Sequence, residues 1–286
     1  MATGSPSRAS DALTLSDDQL DRYARHIVLK EIGGEGQRKL LAARVVLIGA
    51  GGIGSPALQY LAAAGVGRIS IVDDDRVSLD NLQRQTLFGM ADVGRLKIEA
   101  AAEAAARLNP DVMVSGAAER LGPGNVARLL EGADVVLDGS DNFATRLVVS
   151  DHSTAARMPL VSAAIGQFQA QIGTFEGWRA DAPCYRCFVG DAFDAEDCDS
   201  CSELGVLGAA VGIAGSFAAL EVIRRIVGFG GDPTGKLHVF DALAPAMRTI
   251  RIVKDPECRA CGRRSGREPG GEPAHLQQSE AEQDRA

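Results

Sequence analysis

"RVVLIGAGGIGSPALQYLAAAGVGRISIVDDD", residues 44–75, decides the fold. A short apolar run ends at Gly49, a glycine-rich turn follows, and an Ala/Leu-rich stretch of helical character leads into a second apolar run that stops at Asp73. Short runs bounded by glycines and acids read as buried strands, so the stretch predicts a strand, a tight turn, a helix and a second strand. Outward from it the alternation continues. "RLKIEAAAEAAARL" predicts a helix that stops at Asn109-Pro110, "DVMVSG" a strand, "ADVVLDGSDN" another strand, and "TRLVVSDHSTAARM" a helix. Such alternation implies an α/β chain with a Rossmann-like, mainly parallel sheet covered by helices on both faces. After Pro159 the pattern turns to strand-like runs, "LVSAAIGQFQAQIGTFE", "KLHVFDA" and "MRTIRIV", which extend the sheet at its C-terminal end. Before the first strand, "LSDDQLDRYARHIVLK" opens with Ser16 and Gln19 at capping-box spacing. Leu20, Tyr23, Ala24, Ile27 and Val28 share one face, which predicts an amphipathic helix with Arg22 and Arg25 off that face.

The bulk properties narrow the function. With 286 residues and 45% hydrophobic content the chain can bury a large core, and a net charge of -8 argues against general nucleic-acid binding. "VLGAAVGIAGSFAAL", residues 206–220, is too short to span a membrane. Its Gly208, Gly212 and Gly215 point instead to a buried helix packed closely on a neighbour. The polar ends, 1–14 and 263–286, lack apolar periodicity and are expected to be disordered tails around one unit at 15–262. The opening residues carry no secretory pattern, so a cytoplasmic setting is expected, where thiols stay reduced.

Gly49, Gly51, Gly52 and Gly54 lie between a strand and a helix, where backbone N–H groups at the helix start can face a phosphate. Asp73, at the end of the next strand, stands where a ribose-binding acid belongs. Taken alone, these residues fit NAD(P) and an oxidoreductase as well as any other nucleotide. The polar series "DNLQRQ" at 80–85, Lys97, and "GSDN" at 139–142 favour a triphosphate, whose displacement needs cations and Mg²⁺. Arg84 and Lys97 can supply positive charge, and Asp141 can hold the metal.

All six cysteines fall in Cys-x-x-Cys pairs: 184/187, 198/201 and 258/261. A tetrahedral zinc site takes four thiolates. Spacing leaves two sets open, a local one of Cys184, Cys187, Cys198 and Cys201, and one joining Cys184 and Cys187 to Cys258 and Cys261.

"RYARHI", "GAGGIGSPALQYLAAAGVG", "VSLDNLQRQTLF", "GRLKIEAA", "LDGSDN", "PCYRC", "GVLGAAVGIAGSFAALEVI" and "CRACG" occur in this order from about residue 16 to 262. In this order and register the chain resembles the MoeB/ThiF/HesA family, relatives of ubiquitin-activating enzymes. The resemblance implies an adenylyltransferase that uses Mg-ATP to adenylate the C-terminal glycine of a ubiquitin-like sulfur carrier, MoaD-like or ThiS-like, with release of pyrophosphate. It places Gly52 against the phosphates and Asp73 on the ribose. Asn81, Arg84, Gln85 and Lys97 would surround the phosphates, with Asp141 and Asn142 at Mg²⁺. Arg25 would reach into the ATP site of the other subunit of a homodimer. The resemblance also selects Cys184, Cys187, Cys258 and Cys261 as ligands of structural Zn²⁺, and makes Cys201 a candidate nucleophile. Cys198 has no place in the pattern. Asp80 stands where several relatives carry a small hydroxyl residue, so only its backbone is expected near the nucleotide. No sulfurtransferase segment follows the last cysteine pair, which leaves sulfur delivery to a separate donor such as a cysteine desulfurase or rhodanese.

Overall fold

The computed structural model describes residues 14–190 and 205–262. Three helices precede the sheet: α1 (Asp17–Arg22), α2 (Ala24–Ile27) and α3 (Gly33–Ala42). Strand β1 (Arg44–Ile48) then leads through α4 (Gly54–Ala63) into β2 (Arg68–Val72), as residues 44–75 predict. The alternation goes on with α5 (Lys97–Leu108), β3 (Met113–Ala117), α6 (Val126–Leu129), β4 (Val135–Asp138), α7 (Phe143–Ala155) and β5 (Leu160–Gly166). β6 (Gln169–Phe175), α8 (Tyr185–Val189), α9 (Gly208–Val227), β7 (Lys236–Asp241) and β8 (Ala246–Arg251) complete the chain.

The eight strands form one sheet in the order β3-β2-β1-β4-β5-β6-β7-β8. β1 to β5 run parallel, while β6, β7 and β8 each pair antiparallel with the strand before. The sheet is thus parallel through its first five strands, as expected, and its C-terminal extension is antiparallel. Short hairpin links make the β5–β6 and β7–β8 pairs antiparallel, whereas β6 and β7 are joined through α8 and α9. The order reverses between β1 and β4, the kind of point where open α/β sheets form a ligand crevice beyond the carboxyl ends of the strands.

Both faces are covered, as expected. Val45 and Leu47 of β1 pack into a core with Leu58 and Leu61 of α4, Ala101 of α5 and Ala218 of α9. Val46 and Ile48 face the other way, into a second core with Val149 of α7 and Tyr185 of α8. Successive strand side chains alternate faces, so two buried faces demand an uninterrupted apolar strand.

The N-terminal helix differs from its expectation. It breaks at Tyr23, and its apolar stripe is largely exposed, with Val28 at 74% and Leu20 at 43%. Tyr23 alone is buried deeply. Its hydroxyl accepts a hydrogen bond from Asn109 Nδ2 at 2.8 Å, and its ring lies so close over Gly65 that no Cβ fits there. That anchorage outweighs helical continuity. Helix α3 has no counterpart in the sequence reading, because three of its first four residues are glycines.

Helix α9 is the buried Gly/Ala helix expected, longer than 206–220, and no helix among the described residues is long and apolar enough to cross a membrane. A Cβ at Gly208 would strike the Gln83 carbonyl, and one at Gly215 would strike Pro56 and the Ile53 carbonyl. Gly212 is different: a Cβ there meets nothing within 4 Å. The close-packing expectation holds at two of the three glycines. Gly215→Ala should therefore destabilise the protein by about 1–3 kcal/mol through overpacking. Gly212→Ala should stabilise it by about 0.5–1 kcal/mol through helix propensity. Denaturant unfolding of both variants checks the opposite signs.

Candidate functional site

The crevice is built on the turn after β1. Gly49 has φ +84°, and its N–H donates to Val72 O at 2.9 Å, which fastens the turn to β2. A Cβ at Gly49 would lie 3.3 Å from Gly139 O, and one at Gly54 would collide with the Gly49 carbonyl. The turn is thus folded back on itself and pressed against the loop after β4. Gly52 faces α9, where a Cβ would lie 2.8 Å from Val211 Cγ1. Among the described residues no side chain caps α4; Ser55 N already donates to Gly51 O at 2.9 Å and Pro56 has no N–H, so an anion would meet the amides of the turn ahead of them.

Asp73 closes the adjoining side. Its Oδ2 accepts from Ala50 N at 2.7 Å and its Oδ1 from Asp75 N at 2.8 Å, which fixes the carboxylate while leaving outer lone pairs. Burial pushes this carboxyl above its ordinary range, against the opposing pull of the Lys97 ammonium and the two amides. Lys97 opens α5 and is nearly buried; its Nζ donates to Asp75 Oδ2 at 2.7 Å.

Asn81, Arg84 and Gln85 sit on one helical turn. The amides of Arg84 and Gln85 both donate to Asn81 O, at 3.0 and 2.9 Å, and spacing of three and four brings the side chains to one face. Arg84 Nη1 donates to Asp80 O at 3.0 Å. Gln85 is 3% exposed, and its side-chain oxygen has no partner among the described residues. Asn81 is held by its own turn, accepting from Ser78 N at 3.3 Å. The carboxylate of Asp80 is exposed and accepts from the Ser78 hydroxyl, which holds it below the usual carboxylate range. Its carbonyl meets the Arg84 guanidinium, so the backbone rather than the acid turns toward that side chain.

Beyond β4, Gly139 N donates to Ile48 O at 3.0 Å, which ties this loop to β1. Asp141 is exposed. Asn142 Oδ1 accepts from Thr145 N at 2.9 Å and caps α7, while its Nδ2 reaches Asp141 Oδ1 at 3.5 Å. The oxygen of Asn142 is thereby committed to the cap. The loop rests on Arg146, which the sequence reading passed over. This residue is 5% exposed, and its guanidinium donates to Ser140 O, to Ala163 O at 2.8 Å and to Ser162 Oγ at 3.0 Å.

The remaining expected groups lie elsewhere. Arg25 is exposed on α2 and has no partner among the described residues, whereas Arg22 is tied to Leu108 O at 3.1 Å. Cys198 and Cys201 lie outside the described residues.

The other two cysteine pairs meet. Cys184 Sγ lies 3.9 Å from Cys187 Sγ and 3.5 Å from Cys258 Sγ, and Cys187 Sγ lies 3.3 Å from Cys261 Sγ. All four sulfurs fall within 4.8 Å of one another. Zinc with about 2.3 Å bonds sets tetrahedral sulfurs roughly 3.8 Å apart, so the four residues fit a closed structural site. Cys184, Cys261 and the Asp255 amide converge on Cys187 and pull its thiol well below the ordinary range. Arg186, between the first pair, forks onto Asp151 of α7 at 2.6 and 2.7 Å. Lys254 Nζ donates to Gly177 O at 2.7 Å and fastens the approach of the second pair.

The ThiF family model matches residues 23–260. The chain belongs to the ThiF family. Among its relatives, the SAMP-activating enzyme E1 of Haloferax volcanii is 43% identical over 87% of the chain and 92% of its own length. The molybdopterin-synthase adenylyltransferase of Escherichia coli is 39% identical over 87% of the chain and 98% of its own length. The bovine adenylyltransferase and sulfurtransferase MOCS3 is longer; it is 44% identical, and the match spans 87% of this chain and 55% of that protein. Among solved structures, E. coli MccB with ATP superposes with a TM-score of 0.75 at 25% identity, covering 87% of this chain and 75% of that one. This ThiF-family crevice thus gathers the glycine turn, Asp73, Lys97, the Asn81–Gln85 turn and the Asp141 loop at one end of the sheet.

Cys258→Ser should lower bound zinc in step with lost thiolates and reduce Tm by roughly 10 °C or more. Metal analysis and thermal unfolding of the same preparations check both.

Proposed function

We propose that this protein adenylates the C-terminal glycine carboxylate of a ubiquitin-like sulfur-carrier protein, using ATP and Mg²⁺ and releasing pyrophosphate. One observation carries the reading: Lys97 and the Asn81, Arg84, Gln85 turn stand around a glycine turn that is already shaped for phosphate. A dinucleotide pyrophosphate needs little of this cationic help, whereas a departing pyrophosphate does. The E. coli relative, matched over nearly its full length, favours a MoaD-like carrier for molybdenum-cofactor biosynthesis over a ThiS-like one. Residues 15–262 form the adenylation domain in this reading, which operates in the cytoplasm.

A carboxylate is ionised at neutral pH and needs no base to become a nucleophile. The protein's work is placement and charge compensation. Asp73 accepts the ribose hydroxyls. The amides of the glycine turn take the phosphates, and Gln85 offers its amide beside them. Arg84 and Lys97 offset the charge that grows on the leaving pyrophosphate. Asp141 holds Mg²⁺, which neutralises phosphate charge when bound, and Asn142 and Arg146 keep that loop in place. Cys184, Cys187, Cys258 and Cys261 hold structural Zn²⁺. Cys201 is the thiol that would link to the activated carrier, with sulfur coming from a separate donor.

The working unit is a homodimer in which Arg25 completes the partner's site. Arg25, which has no partner among the described residues, and the exposed Leu20 and Val28 near it support this reading.

ATP–pyrophosphate exchange with a Gly-Gly-ending carrier tests the activity. Arg84→Ala and Lys97→Ala should each slow exchange by about 10²-fold or more; near-normal exchange in both would remove them from the mechanism. Arg25→Ala and Lys97→Ala should be inactive separately, yet regain about a quarter of native activity when their subunits are mixed, because mixed dimers carry one intact site. No recovery after verified subunit exchange would argue against shared sites.

A further inference from the structure

Three acids follow one another at the end of β2, and the structure gives them different tasks. Asp73 is locked by two backbone amides. Asp74 is exposed. Asp75 sends its carboxylate to the Lys97 ammonium, and the two residues are also clipped together by the backbone, Lys97 N donating to Asp75 O at 3.0 Å. The pair is lopsided: the Lys97 side chain is 6% exposed and that of Asp75 is 67% exposed. A buried ammonium without a counter-charge is costly, whereas an exposed carboxylate is rehydrated at little cost when its partner leaves.

We propose that Asp75 is a positioning residue that holds the Lys97 ammonium in the free site, yields it to the entering phosphates and takes it back as pyrophosphate departs. This rests on the nucleotide reading above and adds a second partner for Lys97. Asp75 keeps the ammonium oriented toward the crevice when no phosphate is there. It also competes with the phosphates, which caps their affinity and favours release. Removing its charge therefore tightens binding of both the triphosphate and the product.

The test is calorimetric titration of the full-length protein with MgATP and with magnesium pyrophosphate, for the native protein, Asp75→Asn, Asp75→Ser and Asp75→Glu. Asp75→Asn and Asp75→Ser should bind both about three- to tenfold more tightly, and Asp75→Glu should bind as the native protein does. In exchange assays the two neutral variants should lower KM and lower kcat together. The tightening should vanish in a Lys97→Met background, a coupling that a merely structural role would not produce. Native protein that fails to bind MgATP would overturn the nucleotide reading and this proposal with it. Native binding with unchanged or weaker binding by whichever neutral variant folds, or tightening that persists without Lys97, would overturn the proposal alone.

Discussion

The close approach of backbone to backbone at the Gly49–Gly54 turn governs the crevice. The Gly49 carbonyl occupies the space that a side chain at Gly54 would need, and Gly49 adopts a left-handed conformation against Gly139. A single added methyl group would separate β1 from the start of α4. That separation would also remove Asp73 from its Ala50 amide, since the same turn supplies it. The strand order that opens a crevice is common to many proteins; the absence of side chains at the turn is what lets a phosphate approach the helix amides.

Helix α9 makes this arrangement rigid from behind. Its first residue abuts the Gln83 carbonyl, Val211 abuts Gly52, and Gly215 abuts the base of the turn. The Asn81–Gln85 turn and the glycine turn are thus both measured against one helix. Small residues at the contacts bring three backbones together, and the apolar remainder of the helix binds it to the sheet.

Much of this was legible in the sequence, for identifiable reasons. Buried parallel strands must be continuously apolar, so the strands from "RVVLI" to "VVLD" announced themselves, and the polar series at 80–85 stood out between apolar runs. Other features depend on partners distant in the chain. The break at Tyr23 follows from Asn109 and Gly65, and the glycine-rich α3 is stabilised by Gln37 and Leu40 buried against the body. Arg146 looked like a routine helix residue; its importance arises because β5 passes beside the β4 loop. The two possible cysteine sets could not be separated by spacing, since Cys258 and Cys261 join Cys184 and Cys187 only through the course of β7 and β8.

The last of these has a consequence for how the sheet survives at its border. Strand β8 is exposed along its whole length and has a neighbour on one side only, which makes it the natural place for fraying and for pairing with another molecule. Past Lys254 its chain runs into Cys258 and Cys261, whose sulfurs lie 3.5 and 3.3 Å from those of Cys184 and Cys187 in the segment after β6. The border strand is therefore held at both ends, by its hairpin and by the cysteine junction. Peeling it away would have to separate those four sulfurs as well as the β7–β8 ladder.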